Sequence, residues 1–279
     1  MMQAIRFFLT LLGAVSALFA HSTSAASSLE APEKAGMQHI GKNVYVDPAM
    51  SPAQAELASK LLEKARKRIK IFYGELIAQP KVIFCATPDC YREFGAVGLG
   101  FSDGTNLVIS PQGQRVAIIA HELAHVEFSV RIGGFAKVLD HVPQWFDEGQ
   151  AVMASMATEF SEEAWMEATE NGTQVPDLNT LAAVNNWIRL TGSNGENMQL
   201  TYGTAKHEVS RWFNRTGYSG FQALLVALQG NEPFAEAYSR IEATHDQIVL
   251  ASNNNPQSLI TFATAPESTK PHYFMRAAW

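Results

Sequence analysis

Cysteine is nearly absent from this chain: among 279 residues there are two, Cys85 and Cys90. Two thiolates alone make a poor zinc site, so a cysteine-built metal module is disfavoured. A free or metal-binding pair is the alternative to one local disulfide, formed in an oxidising compartment and worth on the order of 2 kcal/mol in the chain-entropy picture. Positive charge is scarce as well. Lys and Arg total 21 against 27 Asp and Glu, giving a net charge of -6 and a pI near 5.8. No basic stripe marks a nucleic-acid surface, and no nucleic-acid partner is expected. Charged residues are only 17% and hydrophobic residues 47%, which excludes a disordered chain and suits one large domain or two subdomains around a cleft. No internal repeat is visible.

Long apolar runs are also missing, except at the start. Met1–Arg6 carries one positive charge, Phe7–Ala20 is apolar apart from Thr10 and Ser16, and small residues follow at Ser22–Ala26. That order is a secretory signal, expected over residues 1–26. Its apolar core is too short for a comfortable membrane span, so no stable span is expected after cleavage. No cysteine stands near the cleavage region to carry a lipid. The chain is therefore expected to be exported, to a periplasm or the outside.

Residues 27–42 are small and polar and read as a linker. A domain is expected over 43–252, with an α/β subdomain at 43–134 and a helical one at 135–252. Asn43–Asp47 and Pro80–Cys85 read as strands. Between them, Ser51-Pro52 opens a helix that runs to about Leu76: a capping hydroxyl, then a proline in the first turn. Gly95–Gly104 reads as a glycine-rich loop, and Thr105–Ser110 as a strand at an exposed sheet edge, able to add an extended peptide as a further strand. An apolar helix is expected over Gln112–Ile132, ended by Gly133-Gly134. A loop of mixed character runs to His141. Pro143–Gly149 enters the next helix, and further helices are expected at 160–170, 178–190, 203–215, 219–229, 233–241 and 244–252. Residues 253–279 carry no assignment. Strands first and helices after make an α+β plan.

The chemistry concentrates in Ala120–His125. His121 and His125 stand four apart, on one face of a helix, where two imidazoles can grip one metal ion. Glu122 stands one step round, where a carboxylate can reach a water. A catalytic zinc takes three protein ligands and keeps one position for water. Glu148, 148 − 125 = 23 positions after His125 on the next helix, is the candidate third ligand. Gly149 beside it would let another element approach closely. Trp145 is expected as a wedge between the two helices.

His121-Glu-Leu-Ala-His125 followed by Pro143-x-Trp145-Phe-x-Glu148-Gly149-x-Ala151 resembles the gluzincin metallopeptidases, and within them the Peptidase MA-like domain of the thermolysin-like clan. The resemblance covers roughly residues 43–245 and extends, more weakly, to Tyr202-Gly203-Thr204-Ala205 with Val209 and Trp212-Phe213. It implies a zincin core with a small N-terminal sheet and a helical C-terminal part. It also implies one Zn2+ held by His121, His125 and Glu148, a general base at Glu122, and a peptide or protein substrate, here expected along the strand at 105–110. Thermolysin itself has an acidic residue four positions after the glutamate ligand, bonded to a zinc histidine; here Val152 stands there. A backbone carbonyl, Asp147 or Glu127 is left to orient a zinc histidine.

Amide hydrolysis also needs a donor for the tetrahedral oxyanion. Tyr202 is the first candidate, as a phenol at a helix start beside a cleft. His207, five residues on and about 500° round the helix from Tyr202, is the second. Two other functions compete with a peptidase: a zinc-binding module of the cell envelope that cleaves nothing, and a metallohydrolase of a non-peptide amide.

Overall fold

Three apolar triplets form the centre of a five-stranded sheet: β2 (Val44–Val46), β3 (Val82–Phe84) and β5 (Leu107–Ile109), buried along their whole length. They run parallel, β2 beside β3 and β3 beside β5. β1 (Gln38–Gly41) pairs antiparallel with β2, and β4 (Gly100–Ser102) antiparallel with β5, giving the order β1-β2-β3-β5-β4. A computed structural model describes residues 29–192 and 195–254. The signal expected at 1–26 and nearly all of the unassigned 253–279 lie outside these.

Successive side chains of a strand point to opposite faces, and the apolar triplets feed both. Val44, Val46, Val82, Phe84, Leu107 and Ile109 join the large core beneath the helices. Tyr45, Ile83 and Val108 face a smaller core on the other side, with Leu29, Met37, Phe94 and Phe101. From Leu29 on, the segment expected as a linker over 27–42 is therefore part of the fold. It contributes Leu29 and Met37 to that small core, makes a 3-10 turn at Pro32–Ala35, and pairs as β1. The helix α2 (Pro88–Glu93) lies on the same side, and a disulfide joins Cys85, just after β3, to Cys90 within α2.

The edge strand also needs correcting. The stretch at 105–110 supplies β5, which is interior, and the edge is β4, inside the segment read as a glycine-rich loop. Gly98 and Gly104, both at φ 78°, flank β4. This left-handed backbone is open to glycine, and it turns the chain back along β5. A three-residue strand leaves too little alternation to be seen in sequence.

The helices begin with α1 (Pro52–Tyr73), which crosses from β2 to β3. Its start is a capping box: the Ser51 hydroxyl accepts from Gln54 N–H and the Gln54 side chain accepts from Ser51 N–H. α3 (Val116–Ile132) carries the histidine pair and ends at Gly133 in the left-handed region. α4 (Phe135–His141) occupies the expected mixed loop. α5 (Gln144–Ser155) carries Glu148, and α6 (Glu162–Ala168) follows. The helix expected at 178–190 is two, α7 (Leu178–Leu181) and α8 (Val184–Thr191). The pair expected at 203–215 and 219–229 runs as α9 (Met198–Gln229), broken at Gly217, where φ is 67°. The last two merge into α10 (Phe234–Asn254). All five strands precede residue 110 and the remaining described chain is helical, so the α+β plan holds. Among the described residues no helix is long and apolar enough to cross a membrane.

Candidate metal centre

α3 is apolar nearly all round and buries every residue from Ile118 to Ser129, so its charged side chains must find partners within the protein rather than in water. His121 and His125 lie one turn apart on the face that α5 crosses. The two helices meet around Phe146, whose ring lies 6.0 Å from Phe128 of α3. Trp145, expected as the wedge, instead packs edge-on against Phe234 and Tyr238 of α10, 5.8 Å from each. On the other side of α5, a Cβ at Gly149 would come within 2.4 Å of the Ala205 carbonyl oxygen and 2.7 Å of Val209 Cγ2. Glycine is what lets α9 press against α5 immediately beside Glu148.

This packing brings three donor atoms together. Glu148 Oε2 lies 3.1 Å from His121 Nε2 and 3.6 Å from His125 Nε2, and the two imidazole nitrogens are 3.1 Å apart. Ligands bound about 2.0–2.1 Å from a tetrahedral zinc stand about 3.3 Å from one another. The three separations straddle that value, so the residues present fit a single small cation. The donor set, two imidazoles and a carboxylate, suits zinc among the divalent metals without fixing its identity.

Charge points the same way. Glu122, Asp147 and Glu148 are all buried, and the charge partners of Asp147 and Glu148 are imidazoles rather than Lys or Arg. Buried carboxylates with only neutral partners are costly, and a cation would relieve them. Without one, the same carboxylates favour the charged form of His125. Burial works against a charged His125, but Asp147 and then Glu148 outweigh it and raise its pKa well above the ordinary value. Burial likewise works to raise Glu148, but hydrogen bonds from His121 and His125 bring it down to about 2.

Of the two acidic candidates, Asp147 is the one beside a histidine: its Oδ2 lies 3.0 Å from His125 Nδ1, paired by charge rather than by a well-aligned hydrogen bond. Glu127, the other acidic candidate, is taken up elsewhere by the backbone N–H groups of Ile77 and Ala78 and by Arg131. Glu122 points toward β4. A Cβ at Gly100 would stand 2.6 Å from Glu122 Cγ and 2.8 Å from its Oε1, so glycine makes room for this carboxylate at the sheet edge. Burial, opposed by the two histidines and reinforced by Glu148 and Asp147, raises the Glu122 pKa.

Of the two oxyanion candidates, Tyr202 is brought to the cluster, with its ring 6.3 Å from that of His121. It is a buried phenol, 1% exposed, rather than one at the open edge of a cleft. It lies inside α9, stacked on Phe160 at 5.5 Å and edge-on to Trp187 at 4.9 Å. His207 is engaged elsewhere, stacked on Trp165 at 3.7 Å with its Nδ1 3.0 Å from Glu162. The helical offset that separates it from Tyr202 puts it on that other face. Two further polar neighbours carry no sequence motif: Gln144, bonded to Glu148, and Gln150, bonded to Asp147. The ligands are deeply placed. His125, 7% exposed, is the one nearest solvent, and Glu148 is 0% exposed. Comparison of the chain with protein-family models, with curated proteins and with solved structures gives no match.

Proposed function

We propose that this chain is an exported, zinc-dependent metallopeptidase of gluzincin type. The observation that carries the reading is the convergence of His121, His125 and Glu148 from two helices at tetrahedral spacing, with Glu122 one position round on the same helix. A small sheet whose edge strand lies against α3, followed by a helical half, is an α+β arrangement compatible with this reading. The Cys85–Cys90 disulfide is consistent with export.

Zinc, when bound, would supply a Lewis acid for the scissile carbonyl and make a water acidic near neutral pH. Glu122 takes the proton from the attacking water and returns it to the leaving amine. Its raised pKa suits both halves of that task, because a base poised nearer neutrality both accepts and releases. Asp147 holds the His125 ring in orientation through Nδ1, the role that a second carboxylate would otherwise fill. Of the two oxyanion candidates, Tyr202 is the one whose ring lies beside His121. An extended peptide paired with β4 would run past Glu122, because Gly100 lies against that carboxylate.

The burial of every ligand favours a second reading, a zinc-binding module without turnover. Metal analysis of the purified chain, together with digestion of a mixed peptide pool with and without chelator, separates the two. The peptidase reading expects one bound metal per chain and chelator-sensitive cleavage. Metal without cleavage supports the module, and a chain that takes up no metal defeats both.

A further inference from the structure

The acidic pair on α5 is flanked by two buried glutamines, and each donates to one carboxylate oxygen while leaving the other oxygen to a histidine. Gln144, one turn before Glu148, donates from Nε2 to Glu148 Oε1 at 2.9 Å. Oε2 of the same carboxylate is the oxygen facing His121 and His125. Gln150, three positions after Asp147, donates from Nε2 to Asp147 Oδ1 at 3.2 Å, and Asp147 Oδ2 is the oxygen facing His125 Nδ1. A carboxylate can only accept, so each amide must present its nitrogen there.

The amides are themselves anchored. Gln150 Oε1 accepts from the Tyr73 hydroxyl of α1 at 2.5 Å. Burial, with the charges of Asp147 and Glu127, keeps that phenol protonated and therefore a donor. Gln144 is fixed through its backbone N–H, which donates to the Ala182 carbonyl at 2.9 Å. Lys or Arg at either position could also satisfy the oxygens. Their charge would compete with a metal ion for the carboxylate, whereas a neutral amide removes the desolvation penalty and leaves the donor strength.

We propose that Gln144 and Gln150 are positioning residues of the metal centre. Gln144 restricts Glu148 to a single donor oxygen, Oε2, and Gln150 keeps Asp147 turned toward His125. This inference rests on the metal reading above, and the test keeps the two apart.

The full-length chain, its Gln144→Met variant and its Gln150→Met variant are titrated with cobalt(II). The visible spectrum reports coordination number, and competition with zinc reports affinity. The parent chain is expected to bind one cobalt with the intense bands of a four-coordinate site. Gln144→Met frees Oε1 to join Oε2, so the bands weaken toward those of a higher coordination number and affinity falls. Gln150→Met keeps the band shape and loses roughly 10- to 100-fold in metal affinity. A merely structural glutamine would lower the melting temperature of the metal-free chain without moving spectrum or affinity. If Gln144→Met does not fold, Gln144→Asn, which keeps the amide on a shorter arm, carries the same expectation. A parent that binds cobalt while both variants match it in spectrum and affinity overturns the brace and leaves the metal reading standing. A parent that binds no cobalt overturns both.

Discussion

Helix α3 buries two glutamates five residues apart, and the surroundings of the two differ at every point. Glu127 accepts backbone N–H groups from Ile77 at 2.9 Å and Ala78 at 3.0 Å, and Arg131, one turn on, donates to it at 2.7 Å. Its charge is cancelled and hydrogen-bonded, and in return it ties the segment between α1 and β3 to α3. Glu122 is just as buried but has imidazoles and two further carboxylates as its electrostatic neighbours, and its pKa is raised. Near the C-terminal end a buried carboxylate is fully compensated, as a structural charge must be. Near the N-terminal end Glu122 has no such partners and stands beside three donor atoms, the pattern that the proposed peptidase requires.

The sharpest way to break this comparison is to neutralise each glutamate in turn. Glu122→Gln is expected to reduce peptide hydrolysis by about 10²- to 10⁴-fold while metal content and fold are retained. Glu127→Gln is expected to do the reverse. It leaves Arg131 without its carboxylate and should lower unfolding free energy by about 3 kcal/mol in a denaturant titration, with turnover per folded molecule unchanged. Full activity in Glu122→Gln, or an activity loss in Glu127→Gln at full occupancy of the folded state, would erase the distinction.

Metal removal is the next largest effect, and it tests the N-terminal end alone. If a cation is what compensates Glu148 and its neighbours, saturating zinc at about 100 times its dissociation constant should stabilise the fold by about 2.7 kcal/mol, and chelator should reverse this. Uptake should also release protons, because imidazoles must bind a metal in their neutral form and Asp147 and Glu148 favour the charged form of His125 when no metal is bound. Calorimetric binding heats that differ between buffers of unequal ionisation enthalpy would report it. In a Glu148→Ala background both zinc stabilisation and proton release should vanish. Their persistence would mean that the metal sits elsewhere.

The contrast between the two ends was only partly legible in the sequence. The histidine pair and Glu122 follow from helical spacing alone, and Glu148 from its place on the next helix with a glycine beside it. The choice between Asp147 and Glu127 as histidine partner was not legible, because it depends on how α5 crosses α3 and on what the chain at Ile77 and Ala78 needs from Glu127. Gln144 and Gln150 were missed because a neutral amide has no motif; only the partner across the turn gives it a role. The chemistry of His207 makes it a candidate in the sequence, but tertiary packing on Trp165 holds it off the site. In the fold, strands of three or four residues carry almost no periodicity, so β1 was read as linker and β4 as loop. The long apolar helices were placed to within a few residues.

The smallest expected effect is the most specific to Glu122. Its folded-state pKa lies above the unfolded one, chiefly through burial. Between those two values the folded chain keeps a proton that the unfolded chain releases, so metal-free stability falls as pH rises through the window, and the penalty is complete above it. Glu122→Gln has no proton to lose and escapes the penalty. The metal-free variant should therefore match the parent below about pH 4, where both side chains are neutral. It should become more stable than the parent as pH rises toward neutrality, by about 1 kcal/mol, the scale of a relieved functional strain. Glu127→Gln should instead be less stable than the parent near neutral pH, because Arg131 loses its carboxylate. A pH series of melting temperatures for both metal-free variants decides it. If Glu122→Gln stays level with the parent, or falls below it as pH rises, Glu122 is no less compensated than Glu127.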